Sequence, residues 1–149
     1  MQRINRWMMV VVVLILAALP LAACGQTASV TTTKIQPATV EKIAETGLNR
    51  LVLTEKAAQR LAIQTTPVRE EQVNGTQRKV IPYAAVIYDL KGATWTYTSP
   101  APLTFVREAI TVDYIEGDKV VLVDGPAAGT AVVTVGVPEL YGTDTGIGK

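Results

Sequence analysis

The sequence predicts a mainly β protein: a small barrel or sandwich with one short helix, preceded by an N-terminal signal helix. Three observations point there. Short apolar runs recur at close spacing from Leu48 onward, separated by clusters of Gly, Pro, Asn and Asp. Asn74-Gly75 stands between two extended runs, the signature of a type I′ hairpin turn. After the N-terminus only residues 54–61 carry helix start and stop signals. At 149 residues the chain has room for one domain with a short appendage.

Residues 1–23 carry Arg3 and Arg6, no acid, and an apolar run from Trp7 to Ala23. This is the layout of a secretory signal. A membrane-spanning helix is the competing reading, because the run reaches the lower end of a spanning length, about 17 residues. Pro20 near its end and the abrupt return to polar sequence favour the signal. Leu21-Ala22-Ala23-Cys24 resembles the bacterial lipobox. That resemblance implies cleavage before Cys24 and a diacylglyceryl thioether on it, so that residues 1–23 are a lipoprotein signal peptide. Two acyl chains attach durably where one binds marginally, at about 0.8 kcal/mol per buried methylene. The domain would sit at the outer face of a cell membrane, on its periplasmic or extracellular side, with no cofactor beyond the diacylglycerol on Cys24.

Setting those residues aside leaves 126 with 12 Lys+Arg against 13 Asp+Glu, close to neutral. Nucleic-acid binding rests on a clustered positive field, and this balance argues against it. Histidine is absent, Cys24 is the only cysteine, and Met1, Met8 and Met9 are the only methionines. Beyond Cys24 the chain therefore lacks imidazole, thiol and thioether. The usual general base at neutral pH is missing, as are the ligands of zinc and soft metals. Ser29 and Ser99, the only serines, have no histidine to activate them. The composition predicts a protein without catalytic activity.

Residues 24–46 are rich in Thr and small polar residues, with no sustained period of 2 or 3.6. They are expected to form a lipidated, flexible tether with a reach on the order of 25 Å. The β domain is expected at 47–142 and a flexible tail at 143–149. Residues 51–53 open the domain as a strand. Thr54 is placed to cap a two-turn helix over 55–61, with Glu55 in the first turn and Arg60 near the end. Residues 63–68 read as extended, and Pro67 puts them at an edge or a strand end. Residues 70–73 and 76–81 are the arms of the Asn74-Gly75 hairpin. A strand over 85–88 leads to a turn at 89–92. Residues 94–98 alternate Thr with Trp95 and Tyr97, so the two aromatics share a face. Ser99-Pro100-Ala101-Pro102 stops that strand. The longest candidate, 103–115, changes parity: Leu103 and Phe105 fall in one register, Ile110, Val112 and Tyr114 in the other. A bulge or bend near Arg107-Glu108 would reconcile them. A turn at 116–118, a strand at 120–123, a Gly/Pro loop at 124–129 and a strand at 131–135 complete the domain.

Several of these segments resemble one family. Leu53-Thr54-Glu55, Leu61-Ala62-Ile63-Gln64-Thr65 and Pro67-Val68 resemble the start of the membrane-proximal domain of periplasmic adaptors, the membrane fusion proteins of RND-type tripartite efflux pumps. Ile81-Pro82-Tyr83-Ala84-Ala85-Val86-Ile87-Tyr88-Asp89 resembles their VPxxAVIYD segment, and Gly92 with Thr94-Trp95-Thr96-Tyr97 resembles G-x-TWVY. Phe105-Val106-Arg107 with Ile110-Thr111-Val112 resembles F-x-R-x-x-V-x-V. Gly117-Asp118, Gly125, Gly129, Val132-Val133, Gly136 and Glu139-Leu140 resemble the closing glycine-rich run. The match extends from about Leu51 to Gly142. Full adaptors add a helical hairpin, a lipoyl-like domain and a second barrel, and 126 residues are expected to leave no room for these. The metal-efflux branch contacts metal through Met and His, which are absent after Cys24, so no metal site is carried over.

Trp95 and Tyr97 admit two readings, as core residues or as aromatic anchors at a partner interface. Arg107 also admits two: a contact to a transporter, or a strand charge paired with Glu108 or another neighbour. Gly117, Gly125, Gly129 and Gly136 are expected to permit positive φ in turns. Asp113, Glu116, Asp118 and Asp124 surround two turns without EF-hand spacing and are expected to be exposed turn acids.

Together these features predict a membrane-anchored, extracytoplasmic lipoprotein that docks on or assists an RND-type efflux transporter. The alternatives are a free-standing ligand-binding or sensory lipoprotein, and a truncated adaptor remnant. An aromatic-lined cavity would favour ligand binding, and a filled core would favour docking.

Overall fold

The computed structural model describes residues 36–147. The lipobox residues Leu21, Ala22 and Ala23, and Cys24 itself, lie outside the described residues. Within them the chain is mainly β, as the sequence predicts.

The first sheet runs β1 (Ala38–Lys42), β2 (Asn49–Leu53), β8 (Thr104–Ala109), β7 (Thr94–Ala101), β11 (Ala131–Val135), β3 (Gln64–Pro67), and β6 (Ile87–Tyr88) also pairs with β7. The second runs β4 (Arg69–Val73), β5 (Thr76–Pro82), β10 (Lys119–Asp124), β9 (Thr111–Glu116). Two helices complete the body, α1 (Glu55–Arg60) and α2 (Val137–Thr145). All pairings are antiparallel.

Neither sheet closes on itself, so of the two architectures expected the barrel is not formed. The reason lies in how the chain changes sheets. Val68 carries it from β3 to β4, its N–H bonded to Thr130 O and its carbonyl accepting from Gly129 N, both at 2.9 Å. A 3-10 turn at Tyr83–Ala85 carries it back. Ile110 takes it across again from β8 to β9, held by reciprocal bonds with Thr94: Ile110 N donates to Thr94 O at 3.0 Å, and Thr94 Oγ1 donates to Ile110 O at 2.7 Å. These pivots (Val68, Ala85 and Ile110) are themselves buried.

Two apolar cores result. In one, Leu51, Leu53, Tyr97, Phe105 and Val133 of the first sheet pack with Ala57 of α1 and Val137 and Leu140 of α2. In the other, the pivots pack with Ile81, Val120, Leu122 and Val132. Because successive strand residues face opposite ways, Val132 and Val133 serve different cores, and β11 is buried on both faces. Each fully buried side chain of this size contributes roughly 1.5–3 kcal/mol.

Several local expectations require correction. Ala38–Lys42, inside the tether expected at 24–46, is a strand in five-residue register with β2. Pairing to a preformed neighbour supplies the order that its own polar sequence does not. Residues 137–145 form α2 rather than the end of a β domain and a flexible tail, because Val137, Leu140 and Asp144 are buried. Residues 103–115 are two strands in different sheets, and the parity change falls at Ile110, not at Arg107-Glu108. Strand β7 continues through Pro100 to Ala101, with a register shift after Thr98, and the turn instead uses Leu103 at φ 57°. Residues 83–85 form the 3-10 turn, leaving only Ile87-Tyr88 as strand.

Candidate functional site

Of the three residues singled out as candidate contacts, Tyr97 and Arg107 meet in the structure at a fourth, and Trp95 lies under Arg107. Tyr97 on β7 stands directly opposite Arg107 on β8. Over this face lies α2, which starts after Gly136 at φ 87°, carries Pro138 in its first turn, and ends at Gly146, also left-handed. That helix lowers Asp144 onto the sheet, its side chain 2% exposed. Tyr97 OH donates to Asp144 Oδ2 at 2.7 Å. Asn49 Nδ2, at the start of β2, donates to Asp144 Oδ1 at 2.8 Å and to its carbonyl at 2.9 Å. Arg107 Nε lies 3.4 Å from Oδ2, an ion pair in which the N–H is not aimed at the oxygen. The buried carboxylate is thus compensated by one cation and neutral donors, as buried charge requires.

The cluster reaches outward through Arg107. Its guanidinium lies over the Trp95 ring, 4.5 Å from the centroid. Trp95 Nε1 donates to Asp89 Oδ2 at 3.1 Å. Asp89 Oδ1 accepts from Lys91 N at 2.8 Å and Ala93 N at 2.9 Å, closing an Asx turn. These backbone donors, that of Ala93 foremost, hold the Asp89 carboxyl below its ordinary range.

Of the two readings for Tyr97, complete burial leaves only the core, so its place among partner contacts is corrected. The phenol is held far above its ordinary pKa, first by burial and then by its bond to Asp144, so it remains a donor and is no acid or base. Arg107 pairs with Asp144, not with its neighbour Glu108. Trp95 is partly exposed beside an open recess of about 400 Å³ between Gly92 and Val112. Asp113, Glu116, Asp118 and Asp124 are exposed; Asp113 lies 3.8 Å from Arg78 and Asp124 lies 3.7 Å from Lys79. Among the described residues no group of three or more His, Cys, Asp or Glu is placed to hold a metal.

Sequence reasoning missed Asp144 and Asn49. The available signal was the spacing Val137, Leu140, Asp144, one helical stripe whose last member is charged. Two further concavities, of about 840 and 700 Å³, flank the Pro37-Ala38 segment between α1 and α2. Their described linings contain no aromatic residue.

No protein-family model matches this chain, and no curated protein does either. Among solved structures it is similar to the NMR structure of a 180-residue stretch holding the N-terminal metal-binding site and the membrane proximal domain of SilB from Cupriavidus metallidurans CH34. The identity is 19% and the TM-score 0.43, over 64% of this chain. This chain spans 59% of the length of that structure.

Proposed function

We propose that the chain is a non-catalytic lipoprotein, anchored by diacylglycerol on Cys24 at the outer face of a cell membrane, whose β body docks on an RND-type efflux transporter. The ordered run of adaptor-like motifs from Leu51 to Gly142 carries this reading. Those motifs fall on the parts that determine the fold. The Ile81–Asp89 segment holds the 3-10 crossing, Phe105 to Val112 holds the Ile110 crossing, and Gly136 starts α2.

The filled cores favour docking over ligand binding, since Tyr97, Leu51, Leu140, Ile81 and Leu122 occupy the space a central cavity would need. The cluster around Asp144 supports the same reading, because its groups stabilise one another and none is poised as nucleophile or base. Anchoring is the energetic part of the mechanism. Confining both partners to one membrane raises their effective concentration, so a weak interface is still occupied.

The test uses the tagged full chain in native membranes, mildly cross-linked, purified and identified by mass spectrometry. Recovery of an RND-type transporter with the wild-type chain, lost with Cys24→Ala, supports docking through the anchor. Equal recovery with Cys24→Ala rejects the tether, and recovery of no transporter rejects docking.

A further inference from the structure

Strand β1 is the outermost strand of the first sheet, and among the described residues nothing pairs with its outer edge. The hydrogen bonds at either end of its pairing with β2 decide which backbone groups face that edge. Ile43 N donates to Leu48 O at 2.8 Å, and Thr54 N donates to Pro37 O at 2.9 Å. Bonded pairs alternate along an antiparallel ladder, so Thr39 and Glu41 turn their N–H and C=O toward β2. Ala38, Val40 and Lys42 turn theirs outward.

The side chains of those same three residues lie on the face that α2 covers. Their partners on β2 are Leu53, Leu51 and Asn49; the leucines are core, and Asn49 bonds Asp144 of α2. An open groove of about 840 Å³ runs between β1 and α2, with Ala38, Val40, Pro138, Glu139 and Ile147 in its lining. Val40 is 40% and Ile147 60% exposed. Glu139 is the one charged side chain of the described lining, and it accompanies Ala38 in the neighbouring concavity as well. Neither Glu139 nor Lys42 has an ion-pair partner among the described residues.

A sheet edge with outward donors and acceptors beside a groove accepts an added strand. Backbone bonds hold the strand, and its alternate side chains enter the groove. A second β1 meets this requirement. Two copies, antiparallel about a two-fold axis at Val40, pair Val40 with the partner's Val40 and Ala38 with the partner's Lys42. Every outward-facing backbone group of the two strands is then bonded. On the groove side the partner's Lys42 falls opposite Ala38, within reach of Glu139, and the two-fold repeats the contact. On the other side Glu41 falls opposite the partner's Thr39. Centring the pair on Glu41 instead would set two glutamates directly against each other, which destabilises a ladder. Centring it on Thr39 carries Lys42 past Ala38 and away from Glu139.

We propose that β1 is a self-pairing edge: two copies of the chain join their first sheets through β1, and Lys42 of each meets Glu139 of the other. One strand pair buries less than the roughly 1,200 Å² at which standard interfaces begin, so the association is weak and reversible.

The experiment places Val40→Cys in the full chain, purified in mild detergent, and adds a short bis-maleimide. The two cysteines of a bonded antiparallel pair have Cα atoms about 5.5 Å apart, within its span. The wild-type chain, which carries Cys24, and a Lys56→Cys variant at an exposed position are the controls. Val40→Cys is expected to yield about tenfold or more cross-linked dimer than either control. A yield equal to the controls overturns the proposal, as does a cross-link from position 40 to Cys24 of the same chain in place of a dimer. In the Val40→Cys background, Lys42→Glu or Glu139→Lys alone is expected to cut the yield about threefold or more, and the two together to restore it. Both positions are exposed, and rescue by the double variant separates charge pairing from misfolding. An undiminished yield in either single variant, or no recovery in the double variant, overturns the pairing.

Discussion

Asp144 accepts the Tyr97 hydroxyl at 2.7 Å across 47 positions of sequence, and this bond fastens the last turn of α2 to the middle of β7. Tyr97→Phe removes one donor but leaves Asp144 its bonds from Asn49 and its ion pair with Arg107, so the expected cost is about 1–2 kcal/mol. Asp144→Ala strands Tyr97 OH, Asn49 Nδ2 and the Arg107 guanidinium together, and the expected cost is about 3–5 kcal/mol. Urea unfolding of both variants measures this. If Asp144→Ala unfolds at the wild-type midpoint, the cluster does not hold the helix.

The turn before that helix makes a second demand on the sequence. At Gly136, φ is 87°, and an added Cβ would run into Ile63 Cδ1. Gly136→Ala is expected to cost about 1–3 kcal/mol, from left-handed strain plus the clash. Ile63→Val removes the obstructing methyl, so the Gly136→Ala penalty measured in that background should shrink but not vanish. A penalty that is unchanged would place the whole effect in the backbone.

Much of the body was legible because local chemistry and tertiary structure agree. Thr54 Oγ1 accepts from Ala57 N at 3.2 Å, as an N-cap should. Asn74 and Gly75 both have positive φ, 50° and 79°, as a type I′ turn requires. Pro67 ends β3, an edge strand, where its missing N–H leaves no gap in a ladder. The failures have physical causes. Strand β1 has no buried residue and thus no period-2 alternation; β2 imposes its conformation. In α2 the buried stripe ends in an aspartate, and Gly142 and three threonine or aspartate positions lower helix propensity. Of the candidate site, Trp95, Tyr97 and Arg107 were visible as residue types. The meeting of Tyr97 and Arg107 at Asp144 was not, because Asp144 and Asn49 come from opposite ends of the described chain.

Asp89 is expected to govern the shape of its turn without governing global stability. Asp89→Ala removes the acceptor for Lys91 N, Ala93 N and Trp95 Nε1. Amide hydrogen exchange at Lys91 and Ala93 should quicken about tenfold or more, while the core amides of β7 and β8 keep wild-type rates. Because the folded pKa lies below the ordinary value, the carboxylate's contribution is present above about pH 3.8 and is lost as pH falls through the folded value. The wild-type turn should therefore approach the variant's exchange protection only in acid. Equal protection at pH 7 would mean that the backbone alone fixes the turn.

On the other face of the first sheet, Glu108 pairs across the ladder with Thr96, whose buried hydroxyl has no partner among the described residues. Thr96→Val keeps the shape and deletes that hydroxyl, so it should be neutral or stabilise by up to about 1 kcal/mol. A clear loss of stability would reveal a partner for the hydroxyl.

Glu108 itself runs against the usual behaviour of a carboxylate. Burial raises its pKa, and the Asp124 carboxylate adds to this while Lys79 opposes it. A folded pKa above the unfolded value of 4.5 means that the folded state binds the proton more tightly. The stabilisation is thus complete below pH 4.5 and is lost as pH rises through the folded value. At pH 7 the native chain carries an ionised, partly desolvated carboxylate that glutamine does not have. Glu108→Gln is therefore expected to melt ~2 °C higher at pH 7, a gap that closes as pH falls below about 4. Melting curves of both proteins from pH 3 to 8 measure it. A Glu108→Gln chain that melts lower at pH 7 would show that attraction to Lys79 outweighs desolvation, and would reverse the sign of the effect.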